Sequence, residues 1–186
     1  LLKYSWDDSV ESLINLLPAK KLNKLAFLLW KRGRSGIAAK CYNFIVDNYP
    51  MEISIVHKSL FFLGRIFEDK REFSKAQKFY KKLVESYPYG VYTGDAAFKI
   101  PWIYRLQNRQ KKAIEGFKNN IIFYKSFHFA ELVEEFSLST SFLPASYFWL
   151  AQTAESIKGF KTRDYYLNEL ITEHPLSFYS FVGRAQ

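Results

Sequence analysis

The chain has 186 residues, 48% of them hydrophobic and 24% charged, a globular composition that excludes a disordered polypeptide and suits one well-buried domain or a short solenoid. Aromatic residues reach 19%, more than any binding site uses, so most rings must fill space between elements. Lys and Arg outnumber Asp and Glu by 27 to 18; the net charge of +9 favours anionic partners, although Lys-rich solvated helix faces produce the same excess.

Asp7, Asp8 and Ser9 precede Val10, Leu13, Ile14 and Leu17, a helix start followed by an apolar stripe. They predict an opening helix over 1–17, ended by Pro18. The chain begins at Leu1 without a Met, which reads as a piece of a longer protein. No apolar run has the length of a membrane span. Cys41, the one cysteine, cannot form an internal disulfide and reads as a buried small hydrophobe.

The clearest pattern lies in residues 58–88. Leu60, Leu63, Gly64 and Phe67 have helical spacing, and Ala76, Tyr80 and Leu83 follow on a second helix before Pro88. Thirty-eight residues earlier the same slots hold Leu22, Leu25, Ala26, Leu29, Ala38, Tyr42, Ile45 and Pro50. Gly33 and Gly36 mark the turn of this first copy, over about 20–50. Thirty-seven residues later stand Ala97, Ile100, Pro101, Tyr104, Ala113, Phe117, Asn120 and Lys125, a worn third copy over about 95–125. Its Pro101 is expected to kink a helix or begin a new one. A fourth copy, about 145–175, keeps Tyr147, Leu150, Ala151, Leu167, Leu170 and Pro175 and turns at Lys158-Gly159.

Between the third and fourth copies lies an insert over 126–144, with a predicted helix at 128–136 and a Ser/Thr-rich loop at 137–141. A closing helix is expected over 176–186. The order of residues within each copy resembles a tetratricopeptide repeat (TPR). One helical hairpin cannot bury both of its apolar stripes, so copies must stack. The expectation is one all-α domain over 1–186, a TPR-like helical-hairpin solenoid wound as a right-handed superhelix.

Motifs for chemistry are scarce. His128 and Glu131 have ligand spacing on a helix, but no second His or Cys joins them, so no metal is expected. Asp7-Asp8 and Glu134-Glu135 are adjacent and point apart around a helix, unlike carboxylates converging on a substrate. Gly33-Arg34-Ser35-Gly36 lacks the Lys-Ser/Thr of a phosphate loop. Basic clusters at Lys20-Lys21, Lys81-Lys82 and Lys111-Lys112 do not alternate with exposed aromatics, so nucleic acid is not the expected partner. No catalytic residue and no cofactor are expected within this chain.

Two stretches go beyond the generic repeat. One runs from Ala96 through Trp102 to Arg105. The other holds Tyr147-Phe148-Trp149-Leu150-Ala151-Gln152 and ends in Pro175-Leu176-Ser177-Phe178-Tyr179. Over about 92–186 the chain resembles the helical superhelix of soluble lytic murein transglycosylases. The resemblance implies a periplasmic protein of the bacterial envelope whose separate lysozyme-like domain cleaves murein glycan strands with one Glu and without a metal. That domain's Gly-Leu-Met-Gln motif is absent here, and Glu11-Ser12, Glu85-Ser86 and Glu155-Ser156 fall in repeat helices or the segment leading into them. The expected role is therefore a non-catalytic scaffold that supports or guides a peptidoglycan strand. Its candidate contacts are Lys99, Arg105 and Gln152, with Trp102 read first as an inter-helix ring and second as a sugar-stacking one. The alternative is a TPR adaptor for a protein or peptide partner in the envelope.

Overall fold

A computed structural model describes residues 12–88, 90–126 and 142–185. They form two compact units, one of residues up to Tyr92 and the other of residues from Thr93. Among the described residues all regular structure is helical.

The first unit holds two helical hairpins. Helices α1 (Ala19–Lys31) and α2 (Ser35–Asn48) make one; α3 (Ile53–Asp69) and α4 (Phe73–Ser86) make the next. Leu22, Ala26 and Leu29 of α1 are buried against Ala38, Tyr42 and Ile45 of the hairpin's second helix. The α3 stripe Leu60, Leu63 and Gly64 meets Ala76, Tyr80 and Leu83 in the same way. Each large side chain moved out of water here contributes about 1.5–3 kcal/mol. Cys41 is fully buried, as its spacing implies. Of the predicted opening helix, residues 1–11 lie outside the described ones; 12–14 are helical and Ile14 is buried.

The hairpin turns share one device. Gly33, Arg71 and Asn108 occupy the same slot in three copies, and all have positive φ, at 77°, 58° and 58°. The following amide reaches back five residues in each case: Arg34 to the Leu29 carbonyl, Glu72 to Phe67 and Arg109 to Tyr104, at 2.8, 2.9 and 2.8 Å. This is the left-handed closure that satisfies carbonyls at a helix end. Gly33 suits it because it has no Cβ to strain. Gly36, expected to share that turn, instead lies in the first turn of α2.

The second unit holds α5 (Thr93–Leu106), α6 (Gln110–Ser126), α7 (Phe142–Lys158), α8 (Phe160–Glu173) and α9 (Phe178–Arg184). Phe117, Leu150, Ala151, Leu167 and Leu170 form its core. The segment expected to be an insert over 126–144 begins with the last residue of α6 and ends inside α7, which starts at Phe142; residues 127–141, including His128 and Glu131, lie outside the described residues. Ser177 caps α9 by accepting the Ser180 amide at 3.1 Å, and the chain closes as a helix shorter than expected.

Pro101 neither breaks α5 nor begins a helix; it is buried inside α5. Proline has no N–H, so the Ala97 carbonyl four residues back loses its helical donor. Asn120 of α6 replaces it, donating Nδ2–H to the Ala97 oxygen at 3.0 Å. Gly116 leaves room for the proline: a Cβ there would lie 2.8 Å from the Pro101 Cβ. The slots that look eroded in the third copy are thus matched to one another.

An ion pair joins α6 to α8. Lys125 Nζ meets the Glu173 carboxylate, which also accepts from the Tyr147 hydroxyl at 3.0 Å. Burial pushes the Glu173 pKa up, but hydrogen bonds from Lys125 and Tyr147 outweigh it, and the net direction is down. A carboxyl held below its unfolded value stabilises the fold above that value, about pH 4.3, and the contribution fades as pH falls through the folded pKa. Chemical denaturation should therefore show the gap between wild type and Glu173→Gln narrowing from pH 7 to pH 3. The gap is small, since both partners are partly exposed. A gap independent of pH would refute the assignment.

Candidate binding faces of the first helices

The first helices of neighbouring hairpins, α1 with α3 and α5 with α7, pack beside each other within their units. The repeat offsets align three positions, each about one turn after the last, on each helix: Lys24, Phe27 and Trp30 on α1; Phe62, Arg65 and Glu68 on α3; Lys99, Trp102 and Arg105 on α5; Trp149, Gln152 and Glu155 on α7. Their contacts run along one diagonal, from the second and third positions of one helix to the first position of the next. In the first unit Phe27 and Trp30 lie 5.4 and 5.2 Å from the Phe62 ring. In the second unit Trp102 meets Trp149 edge-on at 4.8 Å, and the Arg105 guanidinium lies 4.6 Å from the Trp149 ring centre.

Each unit thus carries an aromatic cluster with a cation on it. In the first, Arg65 sits 5.8 Å from the Trp30 ring, and Asp69 accepts the Trp30 indole N–H at 3.1 Å. In the second, Arg105 rests on both indoles, at 5.4 Å from Trp102 and 4.6 Å from Trp149. Cation–π contact of this kind contributes about 0.5–2 kcal/mol each. Burial pulls the Arg105 pKa below its ordinary value, yet a guanidinium keeps its charge at neutral pH.

Of the residues expected from sequence, the structure brings Trp102 and Arg105 together. Lys99 lies one turn before Trp102 on α5, and Gln152 one turn after Trp149 on α7; both are half-buried beside the cluster. Trp149 was not expected as a site residue. The repeat offset does place it level with Lys99 and Phe62, but only the stacking of α7 on α5 shows that it meets the second and third positions of α5 rather than the first. Trp102 is half-buried, so it is neither sealed in the core nor fully presented.

Among the described residues no three His, Cys, Asp or Glu side chains are grouped to hold a metal. No helix among them is long and apolar enough to cross a membrane. A groove of 270 Å³ between α6, α7 and α8 is lined by Lys118, Ile122, Tyr147, Tyr165, Tyr166 and Glu169.

A tetratricopeptide repeat family model matches residues 58–88. No curated protein matches the sequence. Among solved structures the chain is similar to BtubC (BKLC) from P. vanneervenii, at 16% identity and a TM-score of 0.64 over 83% of this chain and 62% of that one. It is also similar to a tetratricopeptide repeat protein from Parabacteroides merdae ATCC 43184, at 11% identity and a TM-score of 0.66 over 90% of this chain and 57% of that one. Nearly identical TPR-like repeats from Podosopora anserina match at 12% identity and a TM-score of 0.60 over 89% of this chain and 84% of theirs. The chain thus spans less than two thirds of the length of the first two. The fold is all-α and TPR-like, built from helical hairpins.

Proposed function

We propose that this chain is a protein-interaction module that holds an extended segment of a partner against the first helices of its hairpins. The observation that carries the reading is that aromatic ring meets aromatic ring along the same diagonal between first helices in both units, each time with an arginine against the rings, Arg65 from the later helix in one unit and Arg105 from the earlier helix in the other. A core needs no cation on its rings. Half-buried indoles and a guanidinium are the side chains that dominate binding energy at protein interfaces. Repeat hairpins favour such a role because stacking within each unit sets the first helices of neighbouring hairpins side by side. The similar solved structures are helical-repeat proteins and do not speak for the murein strand that the resemblance implies, so a glycan partner is the outcome to be tested against.

Selection from a displayed library of random peptides on the whole chain provides the test. Selected peptides should bind wild-type protein and lose about tenfold or more in affinity on Trp102→Ala, a loss of about 1.4 kcal/mol. Lys111→Ala, on the exposed start of α6, should leave them unchanged. Circular dichroism of Trp102→Ala establishes that it still folds. Failure to enrich peptides, or peptides indifferent to Trp102, would refute the reading. So would release of soluble anhydro-muropeptides from purified murein, which calls for a catalyst.

A further inference from the structure

The clusters of the two units differ in one chemical respect. In the first unit a carboxylate is built in: Asp69 lies against Trp30, the ring that Arg65 covers. The residue equivalent to Asp69 in the third copy is Leu106. The residue equivalent to Glu68, which takes the Tyr80 hydroxyl, is Arg105 itself. Glu155 holds that position on α7 and is engaged by Arg163 at 3.4 Å. Among the described residues Arg105 therefore has two ring faces and no carboxylate or other acceptor.

A guanidinium directs its five N–H donors outward in its own plane, and an indole, a donor only, offers them no lone-pair acceptor. The rings hold the cation in place without satisfying those donors. Half-burial beside two indoles lowers the local dielectric, which strengthens attraction to an anion that arrives with its own apolar flank. Planar, paired acceptors fit a guanidinium best, and a carboxylate supplies them. The geometry points to Trp102, Arg105 and Trp149 as a subsite for a carboxylate on the bound peptide, flanked by an apolar or aromatic residue that packs on the indoles. This inference rests on the peptide-binding reading above and adds the chemistry of one contact. Lys99, half-buried one turn away on α5, adds positive charge to the same approach.

The two sources of that carboxylate, a chain terminus and an acidic side chain, are separable. Indole N–H signals of the intact, isotope-labelled protein, assigned with Trp102→Phe and Trp149→Phe, would be followed by NMR during titration. The probes are N-acetyl-Leu-Phe-Leu with a free carboxylate, the same peptide amidated, and amidated N-acetyl-Leu-Phe-Glu. The expected result is a saturable shift of both the Trp102 and Trp149 signals by one of the carboxylate peptides. Binding should be about tenfold weaker for the neutral amide and for Arg105→Gln, with Arg105→Lys in between. Which carboxylate peptide binds identifies the source.

Equal affinity for charged and neutral peptides would overturn the carboxylate subsite while leaving the peptide-binding reading intact. Silence of both indole signals toward every peptide would overturn the subsite as well, and the library selection would then judge the broader reading alone. An acidic disaccharide that saturates the same signals at lower concentration than the peptides would overturn the peptide class.

Discussion

Gly64→Ala should destabilise the first unit by about 2–3 kcal/mol, the cost of forcing atoms into a filled core. The Cβ of alanine at position 64 would lie 2.3 Å from Tyr80 Cε1 and 2.6 Å from Cδ1. No carbon approaches another that closely, so either the ring or helix α3 must move. Tyr80 is fully buried, and its hydroxyl donates to Glu68 at 2.7 Å. Burial, then the nearby Glu68 charge, push the Tyr80 pKa far up, which keeps that hydroxyl protonated and donating. Shifting the ring would break this bond and open space beside Phe61 at 6.0 Å. Tyr80→Phe should not rescue the variant, because the clash is with the ring and not the hydroxyl.

Gly36→Ala provides the control. No atom lies within 4 Å of the added Cβ, and Gly36 sits in a helix. Alanine there should stabilise by up to about 1 kcal/mol. Urea unfolding of both variants decides the matter; two glycines with the same response would show that helix propensity, not close packing, governs position 64.

Asn120→Leu should cost the second unit about 2 kcal/mol, because it strands the Ala97 carbonyl without a donor. The cost depends on Pro101. In a Pro101→Ala background residue 101 regains its N–H, the helix ladder closes on Ala97, and Asn120→Leu should cost well under about 1 kcal/mol. A double-mutant cycle in urea measures the coupling, expected at about 1 kcal/mol or more. Equal costs in the two backgrounds would show that Asn120 does not stand in for the missing amide. Gly116→Ala is expected to be harmful in both backgrounds, since its Cβ would press on Cβ of residue 101, which alanine keeps.

Much of the fold is legible from spacing because burial is periodic. Leu22, Ala26, Tyr42 and Ile45 recur as Leu60, Gly64, Tyr80 and Leu83, since a helix pair hides only one stripe per helix. The candidate cluster is partly legible for the same reason. Trp102 and Arg105 stand out on α5, and the structure joins them. Trp149 does not stand out as a member of that cluster, because a ring at helical spacing reads equally well as core. The contact of Trp149 with both depends on how far α7 is displaced along α5, and no spacing within one helix encodes that displacement.

The turns divide in the same manner. Gly33 announces a left-handed residue, but Arg71 and Asn108 adopt that conformation too, held there by backbone bonds to Phe67 and Tyr104. In the third copy Pro101 and Asn120 each look like departures from the pattern, and only the pairing of α5 with α6 makes them donor and acceptor partners. By itself the amino-acid order determined which residues must leave water and that paired helices would do the hiding, since hydrophobic burial is local in period and indifferent to detail. Tertiary packing alone decided which exceptions compensate each other and which arginine is left on two indoles without an acid, because hydrogen bonds and charge contacts depend on ångström-scale positions across helices that sequence spacing does not carry.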